Sequence, residues 1–199
     1  METSNVTAFK MTELAREVSG NPDSLVTRPV GRRFLPILEA ILTNLPDSQA
    51  CVLDCVDVRI LDASFADEVF GVLAVSRSRR QRQGGCVILD KLEDANLDNL
   101  EMALASRTVR ETGLRNCVMP TRTAREGIRL VGKCEAHVQH TFALLVKHRQ
   151  LTARELAEIL ALDIAAASTR LKVLFDLGLA TRLEERDGQV KQFIYTWPL

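Results

Sequence analysis

The side chains with the clearest chemical role lie in the last quarter of this 199-residue chain. Arginine can fork onto guanine, serine and threonine bond to several base edges, and alanine contacts only the methyl group of thymine. Lysine and arginine also neutralise phosphates. These residue types point to a candidate DNA-binding surface that includes Arg170, Lys172, Arg186, Lys191 and Gln192.

A short helix is predicted just before this surface. Thr152 and Glu155 match a capping box, in which the threonine oxygen and the glutamate side chain each satisfy a free backbone N–H. Leu151 and Leu156 stand where a hydrophobic staple requires apolar residues. The pattern predicts a helix that begins after Thr152 and runs to about residue 160.

The second helix carries Arg170 and Lys172. Asp163 is placed as its N-cap, and Gly178 is placed as a left-handed C-cap, so the helix spans about residues 164–177. Two short helices with a three-residue turn form a helix-turn-helix motif. Helical spacing assigns four apolar residues to the core: Ile164, Leu171, Leu174 and Phe175.

A hairpin is predicted after the second helix. Asp187 and Gly188 separate two strand-like runs, residues 179–186 and 189–197. Aspartate followed by glycine is favoured in such turns because both turn positions need a positive φ. The hairpin places Arg186, Lys191 and Gln192 near its tip, where they would reach phosphates or a minor groove.

The segment resembles the winged helix of ArsR- and MarR-type repressors over about residues 135–198. The resemblance depends on the run Ser168-Thr169-Arg170-Leu171-Lys172-Val173-Leu174, followed by Gly178-Leu179. It implies that the second helix is the recognition helix, and that the residues which read the bases lie at its exposed start and middle: Ala165, Ala166, Ser168, Thr169 and Arg170. Only Arg170 among these positions can fork onto guanine, so we expect binding to require a homodimer.

The first 112 residues alternate strand and helix signals. Strands are expected at about 5–11, 24–27, 50–57 and 86–89, and helices at 31–45, 65–82 and 97–111. This alternation predicts an α/β layer with a mostly parallel sheet. Residues 113–132 contain glycine, proline and scattered arginines, which indicates a linker to the second domain at 133–199.

A second resemblance concerns this first domain. The run Ser64-Phe65-Ala66-Asp67-Glu68, with Thr27-Arg28, Gly31-Arg32, Val52-Leu53-Asp54 and Gly71, resembles the STAS-like domain of uncharacterised bacterial proteins. Its better-known relatives are the anti-sigma-factor antagonists. The resemblance covers about residues 6–110. It implies a mixed sheet with helices in a domain that binds proteins, with nucleotide binding or serine phosphorylation in some members.

Asp62 and Ser64 are the possible regulatory residues of that domain. In the antagonists the phosphorylated serine directly follows an aspartate, whereas here Ala63 separates the two. Ser64 and Asp67 also match an N-capping pattern, which we favour over a phosphorylation site. The predicted fold is therefore an α/β STAS-like N-terminal domain and an α+β winged helix-turn-helix.

Composition limits the possible functions. The 26 basic and 26 acidic residues cancel, and from residue 131 onward nine basic residues face eight acidic ones, a net charge of +1. Non-specific DNA binding is driven by phosphate neutralisation, so this balance predicts weak non-specific affinity. The chain shows neither a long apolar run nor a signal-peptide pattern, so we expect no membrane contact and a cytoplasmic location.

Cysteine usage and motif content argue against metal and catalytic sites. The five cysteines lack C-x-x-C spacing, and Cys51, Cys55 and Cys86 lie in apolar runs typical of buried thiols. Cys134, His137 and His140 share part of one helix face; ordinary polar roles are favoured there over metal binding. Glycine-rich phosphate loops and nucleophile elbows are missing, so we expect neither an enzyme nor a cofactor.

Two functions remain open from the sequence. The first is a transcriptional regulator that binds double-stranded DNA, with the STAS-like domain sensing a signal, binding a partner or dimerising. The alternative is a protein-interaction switch, in which the STAS-like domain binds a regulatory protein and the winged helix packs rather than binding DNA. The densest basic cluster, at Arg77, Arg79, Arg80 and Arg82, is expected to be the solvated end of a helix.

Overall fold

The computed structural model describes residues 6–79, 85–123, 127–187 and 190–199, which form a mixed α/β structure. Its strands are β1 (Val6–Lys10), β2 (Ser24–Leu25), β3 (Ala50–Asp54), β4 (Ile60–Leu61), β5 (Cys86–Asp90), β6 (Cys117–Thr123), β7 (Gly127–Lys133), β8 (Gln150–Thr152), β9 (Thr181–Asp187) and β10 (Val190–Thr196). Within these residues, no helix is both long and apolar enough to cross a bilayer.

The helices alternate with the strands in the first half of the chain. They are α1 (Met11–Ser19), α2 (Arg28–Thr43), α3 (Ala63–Ala66), α4 (Val72–Ser78), α5 (Asp94–Arg110), α6 (Ala136–His148), α7 (Ala153–Leu160) and α8 (Ile164–Asp176). A single π-helical turn, Asp67–Gly71, joins α3 to α4. Such π-turns inside a helix occur frequently at functional sites.

The central sheet has five strands in the order β1-β3-β5-β6-β7. The first four are parallel, and β7 returns antiparallel to β6. When each new parallel strand is added on the same side of the previous one, right-handed crossovers place every connecting helix on the same face of the sheet. Cys51 and Leu53 of β3 accordingly pack in the core formed with α1 to α5. Val52, between them, points into a second core on the opposite face.

The last part of the chain, residues 136–199, is here called the C-terminal unit. It contains α6, β8, α7, α8 and the β9–β10 hairpin, and its three strands are ordered β8-β10-β9. The predicted capping box at Thr152 and Glu155 is confirmed, as is the N-cap at Asp163. Strands β9 and β10 confirm the predicted hairpin. Asp187, predicted as a turn residue, instead ends β9 and pairs with Val190, whereas Gly188 and Gln189 lie outside the described residues.

The C-terminal unit covers the sheet face that carries no connecting helix. Val52 and Ile88 of the sheet share one apolar core with α6, α7 and α8. At the edge of this contact the Val87 N–H donates to the Gly178 carbonyl over 3.4 Å, and the Arg182 N–H donates to the Asp47 carbonyl over 3.0 Å. The two halves of the chain are therefore joined by a continuous core.

The predicted linker at 113–132 is wrong, because most of it forms strands. Residues 117–123 and 127–133 are β6 and β7, the last two strands of the sheet. The glycine and proline content of this segment predicted a loop. Pro120 is nevertheless tolerated in β6, because β6 pairs with β5 only at Thr121 and Arg122. Val118 and Met119 are buried on opposite faces, which is the period of a strand.

Candidate nucleic-acid interface

Helix α8 presents most of the residues predicted to contact DNA. The Asp163 carboxylate accepts a 2.8 Å hydrogen bond from the Ala166 N–H and thereby caps the helix start. Ala165, Thr169 and Lys172 are exposed, whereas Ala166, Ser168 and Arg170 are half-buried. The buried side of α8 consists of Ala167, Leu171, Leu174 and Phe175. The predicted surface therefore exists along one side of this helix.

The assignment of Ile164 to the core is wrong. Its side chain is 55% exposed, although it lies seven residues before the buried Leu171 and on the same side of the helix. The core of the C-terminal unit does not reach this position, which is the first residue of the first turn of α8. Ala167 takes the innermost position of that turn instead. Spacing alone predicted the correct side of the helix but not where the core ends.

Two polar groups on this surface are bonded within the helix. The Thr169 hydroxyl donates to the Ala165 carbonyl over 2.9 Å, and the Lys172 ammonium contacts both oxygens of Asp176 at 2.7 and 2.9 Å. What Ala165 and Thr169 present to the outside is therefore mostly methyl groups.

The hairpin places the remaining predicted residues near its tip. Lys191 and Arg186 both lie against Glu184, at 3.0 and 3.7 Å. The hydrogen bond and charge of Lys191, together with Arg186, hold the pKa of Glu184 below its usual value. Gln192 is exposed beside them. Contact of these cations with phosphates would require the pairs with Glu184 to open.

Arg182 joins the hairpin to α8, a role that the sequence analysis missed. Its guanidinium lies 4.1 Å from the ring centre of Phe175 and 4.6 Å from that of Phe193. It also pairs with Asp47 of the N-terminal half at 3.6 Å. Alternation along β9 and β10 places Arg182 and Phe193 on the same side of the hairpin, and this was the available signal.

Asp62 and Ser64 lie on a different part of the molecule. Asp62, and not Ser64, caps α3: one carboxylate oxygen accepts from the Phe65 N–H at 2.7 Å, and the other accepts from the Thr27 N–H at 2.8 Å. The predicted cap at Ser64 is therefore wrong by two residues. Ser64 is exposed in the first turn of α3. Asp62 prevails because its two oxygens satisfy donors from two segments at once.

A buried carboxylate near α3, Asp67, was not recognised as a centre of ion pairing. Its side chain is 5% exposed, and it accepts hydrogen bonds from Arg107 at 2.6 Å, from Arg28 at 3.1 Å and from Arg110. Burial raises the pKa of Asp67, but the hydrogen bonds and charges of Arg110 and Arg107 outweigh it, and the net pKa is lowered. Arg28 also pairs with Glu68 at 3.5 Å and Arg107 with Glu111 at 3.6 Å, so Asp67 is the centre of a wider ion-pair network that joins α2 to α5.

The basic cluster at the end of α4 is also partly buried, contrary to expectation. Arg77 is 5% exposed and donates to the Gly85 carbonyl at 2.9 Å, and its side chain packs against Gly178 of the C-terminal unit. Arg79 pairs with Glu111 at 2.7 Å. Arg80 and Arg82 lie outside the described residues. A helix end that was expected to be solvated therefore contributes to the contact between the two halves.

The cysteines and histidines do not form a metal site in the described part of the chain, where no group of three metal-binding side chains is brought together. Cys134 and His137 are half-buried and His140 is exposed. Burial raises the pKa of Cys51 and of Cys86 to about 12, so these thiols stay neutral at ordinary pH.

Comparison with known proteins identifies no relative. No family model, no curated protein and no solved structure matches the chain. The functional assignment of α8 and the hairpin therefore depends on their own geometry and chemistry.

Proposed function

We propose that this protein is a DNA-binding transcriptional regulator. In this proposal the C-terminal unit is a winged helix-turn-helix domain, α8 is its recognition helix and the β9–β10 hairpin is its wing. The N-terminal half is a STAS-like domain that senses a signal, binds a partner or dimerises. The supporting observation is the order α6-β8-α7-α8-β9-β10 with the sheet order β8-β10-β9, which leaves the start of α8 exposed.

The distribution of exposed cations supports a phosphate contact beside α8. Arg154 is exposed at the start of α7, and Lys147 and Arg149 are exposed at the end of α6. In helix-turn-helix proteins the first helix of the motif crosses the backbone while the second enters the major groove. The overall charge is zero, so the affinity of one copy for DNA is low. Binding as a homodimer to two half-sites would supply the rest.

A gel-shift experiment on the DNA upstream of the protein's own gene tests the proposal. We expect the full chain to retard this duplex and to lose the retardation at higher salt. The double variant Arg170→Ala and Lys172→Ala should abolish the shift, because it removes the only cations of α8. Arg59→Ala is the matched control, because Arg59 is an exposed arginine of the N-terminal half. Retardation that survives the double variant would refute the role of α8.

The second candidate function is the protein-interaction switch, and two observations favour it. The C-terminal unit shares an apolar core with the sheet, as a packing domain would. The hairpin cations Arg186 and Lys191 are paired with Glu184 and not free for phosphates. A pull-down from the native host distinguishes the two functions: this one predicts a stoichiometric regulatory protein and no recovered DNA.

A further inference from the structure

We propose that the outer edge of β7 binds an extended, acidic segment of a partner protein as an added strand. β7 is the last strand of the five-stranded sheet, and among the described strands it pairs only with β6. A free sheet edge presents a row of backbone N–H and C=O groups, with which an extended peptide can pair by strand addition. The inference goes beyond the proposed function, because it holds whether or not α8 binds DNA.

The backbone hydrogen bonds of β6 show which groups of β7 face outward. The Lys91 N–H donates to the Arg122 carbonyl at 2.8 Å, so Arg122 of β6 directs its backbone groups toward β5. Alternate residues of a strand bond to opposite neighbours, so Ile128, the partner of Arg122 in β7, directs its own N–H and carbonyl away from β6. The same holds for Leu130, which stands opposite Pro120, a residue without an N–H. Outside the sheet pairing, none of the described residues makes a backbone hydrogen bond to Ile128 or Leu130.

A cavity of about 340 Å³ lies beside this edge. Its lining includes Glu101 and Ala105 of α5, Leu130 and Lys133 of β7, and Gln139 of α6. Helices α5 and α6 pack on opposite faces of the sheet, so a space that contacts both of them must extend around the edge strand. Neighbouring strands lie about 4.8 Å apart, so an added strand would occupy the space directly beside β7.

The two sides of β7 differ in chemistry, and this difference determines which side chains the peptide should carry. Ile128 and Leu130 are half-buried on the side of α6, where they pack against the core of the C-terminal unit. On the side of α5, Arg129 pairs with Glu101 at 3.3 Å, whereas Lys133 is exposed and pairs with no carboxylate among the described residues. Successive side chains of a strand point to opposite faces, so the peptide should alternate apolar and polar residues, with an acidic residue beside Lys133.

A second copy of this chain fits the edge less well than an acidic peptide does. The charged residues of β7, Arg129 and Lys133, are both basic, so pairing of β7 with itself would supply no acid for Lys133. One pair of strands also covers only part of the roughly 1,200 Å² that a stable interface between two proteins buries. A peptide that adds a strand, in contrast, gains its affinity from main-chain hydrogen bonds and its specificity from alternate side chains.

The test begins with selection of peptides from a random phage-displayed library by the full chain. We expect the selected peptides to alternate apolar and polar residues and to contain an acid. The affinity of one selected peptide is then measured by fluorescence anisotropy, with a single backbone N-methyl group placed at each position in turn. An N-methyl group that removes an N–H facing β7 should weaken binding roughly five-fold or more, and one at the positions between should have little effect. This pattern of every second residue is the signature of an added strand.

Two variants locate the peptide on β7. Leu130→Pro removes one outward N–H and leaves the hydrogen bonds between β6 and β7 in place, so it should weaken peptide binding roughly ten-fold. Lys133→Glu should weaken binding about five-fold, and replacing the acid of the peptide by lysine should restore the affinity for this variant. Lys10→Glu is the matched control, because Lys10 is exposed on β1, the opposite edge strand of the sheet. Far-UV circular dichroism checks the folding of each variant, and the N-methyl series needs no variant at all.

Three results would overturn the inference. The first is that no peptide is selected. The second is a selected peptide whose affinity does not depend on the position of the N-methyl group, or is unchanged by a folded Leu130→Pro variant, because such a peptide is not an added strand on β7. The third is self-association of the full chain that Leu130→Pro abolishes, which would identify a second copy as the occupant. The gel-shift experiment tests the proposed function separately, so none of these results bears on DNA binding by α8.

Discussion

The two faces of the five-stranded sheet are covered in different ways. One face is covered by α1 to α5, which the chain builds in turn as it crosses from strand to strand. The other is covered by the C-terminal unit, which arrives from the far end of the sequence. Right-handed crossovers alone account for the helices on the first face, whereas the second face is covered only because the chain forms a further folded unit after the sheet. The sheet therefore acts as the platform on which α8 is held.

The polar contacts of the two faces differ as well. In the N-terminal half, the buried carboxylate of Asp67 is shared by Arg107 and by the half-exposed Arg28 and Arg110. Arg77 of α4 instead reaches Gly178 of the C-terminal unit, just after α8 ends. The first cluster stabilises the N-terminal half itself, and the second contact joins the two halves. Changes at each site show whether the two faces are energetically independent.

The largest effect is expected from Gly178→Ala. Gly178 has a φ of +71°, and an added Cβ would overlap the Arg77 guanidinium. Arg77 is buried and bonded to the Gly85 carbonyl, so it cannot move without losing that bond. Backbone strain and overpacking together should lower the free energy of unfolding by about 4 kcal/mol. Urea denaturation followed by far-UV circular dichroism measures this change.

Gly113→Ala is the matched control for this substitution. Gly113 has a similar φ of +78°, but nothing lies within 4 Å of an added Cβ. Its replacement should cost only the left-handed backbone strain, about 1 kcal/mol. Equal costs for Gly113→Ala and Gly178→Ala would mean that Arg77 yields freely, and the proposed contact between the halves would then have little energetic weight.

The next largest effect is expected from Asp67→Asn. It removes the carboxylate shared by Arg28, Arg107 and Arg110, although Glu68 remains beside Arg28 and Glu111 beside Arg107. We expect the free energy of unfolding to fall by about 3 kcal/mol, the lower end of the range for buried pairs, because Arg28 and Arg110 are half-exposed. Trp197, the only tryptophan, lies in the C-terminal unit and reports its unfolding by fluorescence. Because the core is continuous, fluorescence and circular dichroism should shift together.

The exposed Asp98 provides the control, and Asp98→Asn should change the free energy of unfolding by less than about 0.5 kcal/mol. If Asp67→Asn shifted only the circular dichroism and left the Trp197 transition at its original midpoint, the two faces would unfold independently. That result would contradict the shared core as the link between the two halves.

The effect of Asp67→Asn should also depend on pH. The pKa of Asp67 is lowered in the folded state, so its carboxylate contributes stability above the unfolded-state value of about 3.9. This contribution is lost as the pH falls through the lowered folded-state pKa. The difference between wild type and variant should therefore be constant near neutral pH and shrink in strong acid. Denaturation measured across this range checks the sign.

Much of the C-terminal unit was predictable from local patterns. The capping box, the N-cap at Asp163 and the strands of the hairpin each depend on a few neighbouring residues, and all three are confirmed. Their chemistry is local, so neither the rest of the chain nor a partner is needed to recognise them. The alternation in the N-terminal half likewise predicted an α/β layer, which the mixed sheet confirms.

The errors concern features that depend on distant residues. Residues 117–123 and 127–133 form strands because the sheet edge beyond β5 was open to them, which their composition alone does not show. Ile164 is exposed because the core of the C-terminal unit ends at Ala167 on that side of α8. Arg77 is buried because Gly178, about a hundred residues later, packs against it. Each outcome follows from tertiary packing and not from a local pattern.

In the proposed function, the C-terminal unit holds α8 against the sheet in a fixed position for contact with DNA, and a salt titration tests this proposal most directly. The affinity of the full chain for the DNA upstream of its own gene should fall steadily between roughly 50 and 200 mM salt, with a logarithmic slope of about −0.9 for each phosphate neutralised. Arg154→Ala, at an exposed position of α7, should make this slope shallower by about one. A chain that binds no duplex at low salt, or whose affinity is unchanged by salt, would contradict the account.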